Sequence, residues 1–344
     1  MQKRSSVLVF SGLCMVSAAG LGWMFRQSAA RVPQATAVAE PAAAVETPVP
    51  AAVAPPRAGQ RVFFRSTDPE KHYGQLAYVE YPGSLVPTYL DQWNCEALYV
   101  AGGKGSCLTA DRGVFTTYTA SIFDARFQKL HVIPLNGIPS RTRVSPNGRL
   151  AAVTVFVTGH GYDSVDFTTQ TSLIDTRGGA VIADLEKFQV TKDGQPFEAK
   201  DFNYWGVTFA PDSDRFYATL STNRKHFLIQ GSVQARSARV LHENVECPSL
   251  SPDATRVAYK KRLPGDRVVW QLHVLDLKTL QETPLAERRS VDDQLEWLDN
   301  ATVLYSLPHS ETPGPSTDVW QAPADGQGTP RRLIAYAYSP SVSR

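Results

Sequence analysis

Leu272-His-Val-Leu-Asp-Leu-Lys278 is a strand that this chain writes six times. The other copies are Leu76-Ala-Tyr-Val-Glu-Tyr-Pro-Gly83, Ser121-Ile-Phe-Asp-Ala-Arg126, Ser172-Leu-Ile-Asp-Thr-Arg177, Phe227-Leu-Ile-Gln-Gly231 and Asp318-Val-Trp-Gln-Ala-Pro-Ala-Asp325. Aligned, they put Glu80, Asp124, Asp175, Gln230, Asp276 and Ala322 at one position, with spacings of 44, 51, 55, 46 and 46 residues by subtraction. A period of that size in a β pattern marks propeller blades, one four-stranded sheet per repeat.

A second series has the same period. Ser145-Pro-Asn-Gly-Arg-Leu-Ala-Ala-Val153, Ala210-Pro-Asp-Ser-Asp-Arg-Phe-Tyr217 and Ser251-Pro-Asp-Ala-Thr-Arg-Val-Ala-Tyr259 share one design, and Trp297-Leu-Asp-Asn-Ala-Thr-Val-Leu-Tyr305 is a degenerate copy. Pro sets φ, Asp or Asn closes the turn, and an alternating strand follows. Each is expected to join the first and second strands of a blade. A last copy, Ser339-Pro-Ser341, has almost no sequence after it. The strands it lacks are expected at 61–65, 75–81 and 85–90, so that the C-terminal strand completes the first blade and removes the open sheet edges. The fold expected is an all-β, six-bladed propeller over 61–344, preceded by a hydrophobic segment at 1–31 and a linker at 32–60.

The Ser-Pro-Asp-x-x-x-Val-Ala-Tyr turn followed by Leu-x-Val-Leu-Asp-Leu resembles the repeat of the TolB-like β-propellers. Phe202-Asn-Tyr-Trp-Gly-Val-Thr-Phe209, Glu243-Asn-Val-Glu-Cys-Pro-Ser-Leu-Ser-Pro-Asp253 and Ser290-Val-Asp-Asp-Gln-Leu-Glu-Trp297 are similar to a TolB-like translocation protein of exported bacterial type. The resemblance covers roughly 61–344. TolB itself carries an α/β domain ahead of its propeller, where this chain has a Pro/Ala tract.

Residues 7–25 form an apolar run after Lys3 and Arg4. It reads as a single membrane anchor of nearly sufficient length, or as a signal peptide cut near Ser28-Ala-Ala30 or Ala37-Val-Ala39. Both place the propeller outside the cytoplasm, with contact to a membrane through this segment only. Cys14 follows Leu13, where a lipoprotein signal carries a small residue. The linker holds prolines at 33, 41, 48, 50, 55 and 56, which make it an extended tether. Residues 1–31 hold four of the 35 basic residues and none of the 33 acids. The remainder therefore has 31 basic and 33 acidic residues, a net of −2, and no basic cluster of the kind nucleic acid requires.

In an oxidising compartment two of Cys95, Cys107 and Cys247 are expected to pair. Cys95 and Cys107 flank the turn Gly102-Gly-Lys-Gly105, although a simple count does not set them opposite each other. Cys95–Cys247 is the rival pairing, and Cys247 otherwise reads as a small buried residue. There is no Gly-x-Ser-x-Gly, no His-Glu-x-x-His and no Cys-x-x-Cys, and the seven histidines are scattered, so no catalytic or zinc constellation is expected. Asp212-Ser-Asp214 reads as turn chemistry rather than a calcium loop. Trp270, Trp297 and Trp320 are expected to pack between blades.

Loops entering the inner strands should line one mouth of the channel. Asn203, Trp205, Glu246, Asp292, Asp293 and Glu296 are therefore expected to converge there, as an acidic, aromatic-floored mouth suited to a basic or extended peptide or a cation. The resemblance implies the same, since propellers of that type take partner peptides at the channel mouth. The alternative is that these acids only cap the blades' narrow ends. The chain is thus expected to be a non-catalytic envelope protein that binds a protein or peptide and needs no cofactor. Two other functions stay open. One is a lactonase-like or sugar-dehydrogenase-like propeller enzyme, with a channel metal on Glu246, Asp292 and Asp293 or a quinone. The other is a scaffold that uses its outer rims.

Overall fold

A computed structural model describes residues 59–157, 168–310 and 314–343. Their strands form six sheets, each running outward from an inner strand. The inner strands are Ala337–Ser343, Ala97–Ala101, Ile138–Val144, Asn203–Phe209, Glu246–Leu250 and Glu296–Trp297, for blades 1 to 6 in turn. The six repeated stretches supply the third strands: Gln75–Tyr81, Thr116–Asp124, Thr168–Asp175, Lys225–Ser232, Trp270–Asp276 and Thr317–Pro323. The Asp at their common position closes the turn that follows. Asp124 Oδ1 accepts the N–H groups of Arg126 and Gln128, both at 2.9 Å, and Asp276 Oδ1 those of Lys278 at 2.9 Å and Thr279 at 2.7 Å. Such side-chain turns stop one strand and start the next. The Ser-Pro turns work alike: the Ser145 and Ser251 hydroxyls accept the N–H groups of Leu150 and Arg256, each at 3.0 Å.

The C-terminal strand Ala337–Ser343 pairs antiparallel with Gln60–Ser66 and completes blade 1, so the ring closes as the sequence implied. Two details differ from expectation. The fourth strand of blade 1 is Thr88–Asn94, not 85–90. Pro82 and Pro87 have no N–H to give a ladder, and pairing resumes only after Pro87, with Tyr78 opposite Thr88. One blade also exceeds the four strands expected of it: the outer strand of blade 3, Ala180–Asp184, is followed by a 3-10 turn at Leu185–Lys187. The chain then crosses to blade 4, where Gln189–Lys192 pairs parallel with Ser237–Glu243 and Gln195–Pro196 folds back on it. That insertion makes blade 4 six-stranded and explains why the spacing from Asp175 to Gln230 is the longest of the five. The segment 7–25, Cys14 and the linker to 58 lie outside the described residues. Among the described residues no helix is long and apolar enough to cross a membrane.

The blades pack face to face through apolar clusters. One of them joins Val274 and Leu285 of blade 5 to Trp297 and Tyr305 of blade 6. Gly105 lies opposite Phe123, and Gly231 opposite Phe216; a Cβ at either glycine would overlap the facing ring. The structure joins Cys95 to Cys107 by a disulfide, with Cα atoms 5.4 Å apart. Leu98 is the residue opposite Cys107. Cys95 reaches Cys107 because the chain bends before the inner strand, where Glu96 N–H bonds Leu108 O at 2.7 Å. Cys247 is free and buried.

Glu282 joins blades 4 and 5. It accepts His242 Nε2 at 2.8 Å from blade 4 and Lys261 from its own blade. Burial opposes its charge, but the hydrogen bonds from Lys261, Tyr259 and His242 hold its carboxyl down to about 2. A depressed acid stabilises the fold above its unfolded value of 4.5, and that contribution is lost as pH falls through about 2. The full shift caps the effect at roughly 3 kcal/mol, and partial solvent screening brings it to about 1–2 kcal/mol. Glu282→Gln should therefore be less stable than wild type by that amount in urea at pH 7. The gap should close between pH 4.5 and 2; a gap that does not change with pH would rule this joint out.

Candidate functional site

All inner strands run in one direction, so the propeller has an N-mouth where they begin and a C-mouth where they end. In blade 3, Arg141 and Arg143 lie two residues apart on the inner strand Ile138–Val144 and therefore point the same way. Blade 6 is opposite blade 3 in the ring. Arg143 nonetheless bonds Glu296 of blade 6 directly, and its Nη2 also donates to Leu295 O at 3.1 Å. Tyr99 of blade 2 donates its hydroxyl to the same Glu296 oxygen at 2.9 Å and lies under the guanidinium, 4.4 Å from ring centre to Cζ. Arg141 reaches Asp293 at 3.7 Å. The channel is thus closed across its axis by ion pairs. About 20 Å³ remains on the N-mouth side, beside Arg141 and Gln294, which is the size of a single water site. About 110 Å³ remains on the C-mouth side, beside Pro146, Pro211 and Pro252.

A second group lies at the N-mouth in blades 4 to 6. Glu246 Oε1 accepts Trp270 Nε1 at 2.9 Å and lies 3.6 Å from His226 Nδ1. His226 meets Trp205 edge-on, with centroids 5.6 Å apart. Lys260 is buried beneath Trp270, pairs with Asp292 and lies 4.0 Å from Glu246. Burial opposes ionisation of Asp292, yet Lys260 and Arg141 hold its carboxyl below the ordinary range. Burial pushes the Asp293 carboxyl up, against Arg141 and the Ser306 N–H.

The six expected residues thus separate into three places. Trp205, Glu246 and Asp292 meet at the N-mouth. Asp293 and Glu296 turn into the axis. Asn203 stands apart, its Oδ1 accepting Thr169 N–H at 2.7 Å across the seam with blade 3. The mouth is not the free acidic surface that was expected: Asp292, Asp293 and Glu296 each have a cationic partner, and Glu246 has Lys260 nearby. Nor do Glu246, Asp292 and Asp293 converge as metal donors, and among the described residues no three His, Cys, Asp or Glu side chains are placed to hold a metal. Arg141, Arg143, Tyr99, Lys260 and His226 help complete these clusters and were not singled out from sequence. Arg141-x-Arg143 on an inner strand was the available signal, since alternate residues of such a strand must face the axis. Trp297 packs between blades 5 and 6, its Nε1 donating to Ser249 O at 2.8 Å, and Trp320 packs against the same cluster. Trp270 joins the mouth instead.

The C-mouth carries a cleft of about 740 Å³, lined by Phe63, Phe127, Leu298 and Asn300 among others and bordered by Gly59 and Ser343. It has a topological cause. Five blades close this face with a turn between first and second strands, whereas blade 1 has two chain segments there and no turn.

No family model matches the sequence, and no curated protein matches it either. Among solved structures, TolB from Acinetobacter baumannii is similar at 15% identity and a TM-score of 0.54, covering 83% of this chain and 67% of that one. A nidogen/laminin complex is similar at 9% identity and a TM-score of 0.55, covering 83% of this chain and 98% of that one. At these identities the likeness is one of fold: the chain is a six-bladed β-propeller.

Proposed function

We propose that this protein is a non-catalytic, TolB-like propeller of the cell envelope that holds a protein or peptide partner on its N-mouth face. The observation that carries this reading is the spent axis. The acids that could have worked as a base, a nucleophile or a metal cradle are paired with Arg141, Arg143 and Lys260, which leaves surface recognition. Export and tethering follow from the apolar run at 7–25 and the Pro/Ala tract. Propellers host enzymes and binders alike, so the likeness in fold does not decide between them.

Site-specific photocrosslinking in cells tests the choice of face. A photoreactive residue at Pro264 or Asp292 (N-mouth) should give discrete protein adducts, and one at Arg149 or Asn300 (C-mouth) should not. Adducts only from the C-mouth would overturn the reading. Adducts only from exposed Val132 on the outer strand of blade 2, Lys129–Leu135, would favour the scaffold alternative.

A further inference from the structure

Blades 4 and 5 leave a cleft of about 360 Å³ between them on the N-mouth face. Arg224 and Lys225 stand on one side, Arg262 and Leu263 on the other, and His226 forms part of the lining. All three cations are exposed, and among the described residues none of them makes an ion pair. The one acid of the cleft, Glu243, is paired with Lys192 at 2.8 Å. His226 adds little to their charge, because its burial lowers its pKa and favours the neutral ring at pH 7. The cleft lining therefore sets three cations against one acid, Glu243, which Lys225 also stabilises, a net positive place in a chain whose exported part is net negative.

The cations are held in place. Asp201 braces the turn that carries Arg224, accepting the Thr222 hydroxyl at 2.6 Å and the Asn223 N–H at 2.7 Å. Arg262 is fixed through its backbone: its N–H donates to Asn244 Oδ1 at 3.2 Å, and its carbonyl accepts Asn244 Nδ2 at 2.9 Å. Arg224 has φ +60, a left-handed conformation that suits glycine in such a two-residue hairpin turn. A bulky side chain there carries strain, and strain of this kind concentrates at binding sites.

We propose that this cleft binds an acidic segment of a protein partner, with carboxylates paired to Arg224, Lys225 and Arg262. Arginine presents paired donors that match a carboxylate, and the open cleft with Leu263 and Pro264 on its wall suits an extended chain. A nucleic acid fits less well, since binding of that kind draws on roughly six to ten phosphate contacts along a basic track. The inference rests on the N-mouth reading and gives that site its charge preference, opposite to the basic ligand that its sequence suggested.

The test is fluorescence anisotropy on the full chain in detergent, with fluorescein-labelled octapeptides of alternating Glu-Ala, Gln-Ala or Lys-Ala. The Glu peptide should bind, and Arg224→Gly/Arg262→Gln should weaken it by about tenfold or more. Lys278→Gln/Arg331→Gln, an equal loss of exposed charge outside the cleft, should leave it nearly unchanged. Arg224→Gly alone should melt no lower than wild type, which separates lost binding from lost fold. Equal weakening by both double variants, or equal binding of the Glu and Gln peptides, would overturn the proposal. If only the Lys peptide binds, and Asp292→Asn abolishes that binding, the N-mouth reading stands and this inference falls. If none of the three binds, both fall.

Discussion

A chain ending at residue 336 should not fold cooperatively. The missing strand, Ala337–Ser343, is the inner strand of blade 1 and the neighbour of two further blades. It buries Ala337, Pro340, Ser341 and Val342, and its pairing covers Val62 and Phe63 of the next strand. The Ser341 hydroxyl accepts Val100 N–H and donates to Val100 O, both at 2.9 Å, which fastens blade 1 to blade 2. Ser339 N–H reaches Ser306 Oγ of blade 6 at 3.3 Å. Burial at about 1.5–3 kcal/mol per large apolar side chain, on both sides of the lost strand, sums to the 5–15 kcal/mol by which a domain is stable at all. The truncated chain also exposes the Gln60–Ser66 edge, which invites pairing between molecules. Urea unfolding should lose its sharp transition, and light scattering should show association. A synthetic peptide of 337–343 added in excess should restore the transition. An unchanged midpoint and slope in the truncated protein would mean that the ring does not depend on this closure.

The same strand shows how far the sequence could be read. Blades were legible because each repeat carries its own turn chemistry: an Asp that closes the third strand and a Ser-Pro-Asp that opens the second are local signals. Closure followed by counting, because strands missing at one end were present at the other. The insertion at Gln189–Lys192 left no such trace, since its parallel pairing to blade 4 depends on a partner 48 residues away. The mouth failed for a related reason. Its acids were visible, but what neutralises them comes from other blades: Arg143 of the opposite blade is 153 residues from Glu296, and Lys260 of the neighbouring blade is 32 residues from Asp292. A carboxylate's role is set by its counter-charge, and in a propeller that counter-charge can lie in the opposite blade. The basic cleft was missed in the same way. Lys260-Lys261-Arg262 reads as a solvated run, yet Lys260 pairs with Asp292, Lys261 pairs with Glu282, and only Arg262, exposed at the end of its strand, is left at the cleft.

Glu296→Ala should destabilise the protein by about 3–5 kcal/mol, the cost of leaving a buried charge without its partner. Arg143 is almost wholly buried on the axis. Burial works to discharge it, and Tyr99 and Glu296 hold it charged. A guanidinium cannot escape by losing its proton, so without Glu296 it is left with the Tyr99 ring beneath it, the Leu295 carbonyl at 3.1 Å and the Ser249 hydroxyl at 3.4 Å, and with no carboxylate. Replacing both partners together removes the problem rather than half of it. Arg143→Met/Glu296→Leu should recover most of the loss, because apolar pairs of similar volume often match or exceed buried ion pairs. Urea unfolding of wild type, both single variants and the double variant closes the cycle, with Arg143→Met expected to leave Glu296 buried without its guanidinium at a similar cost. A coupling of about 2 kcal/mol or more between the two sites is expected. Additive losses would mean that the two side chains do not depend on each other, and the closed axis on which the binding reading stands would lose its support.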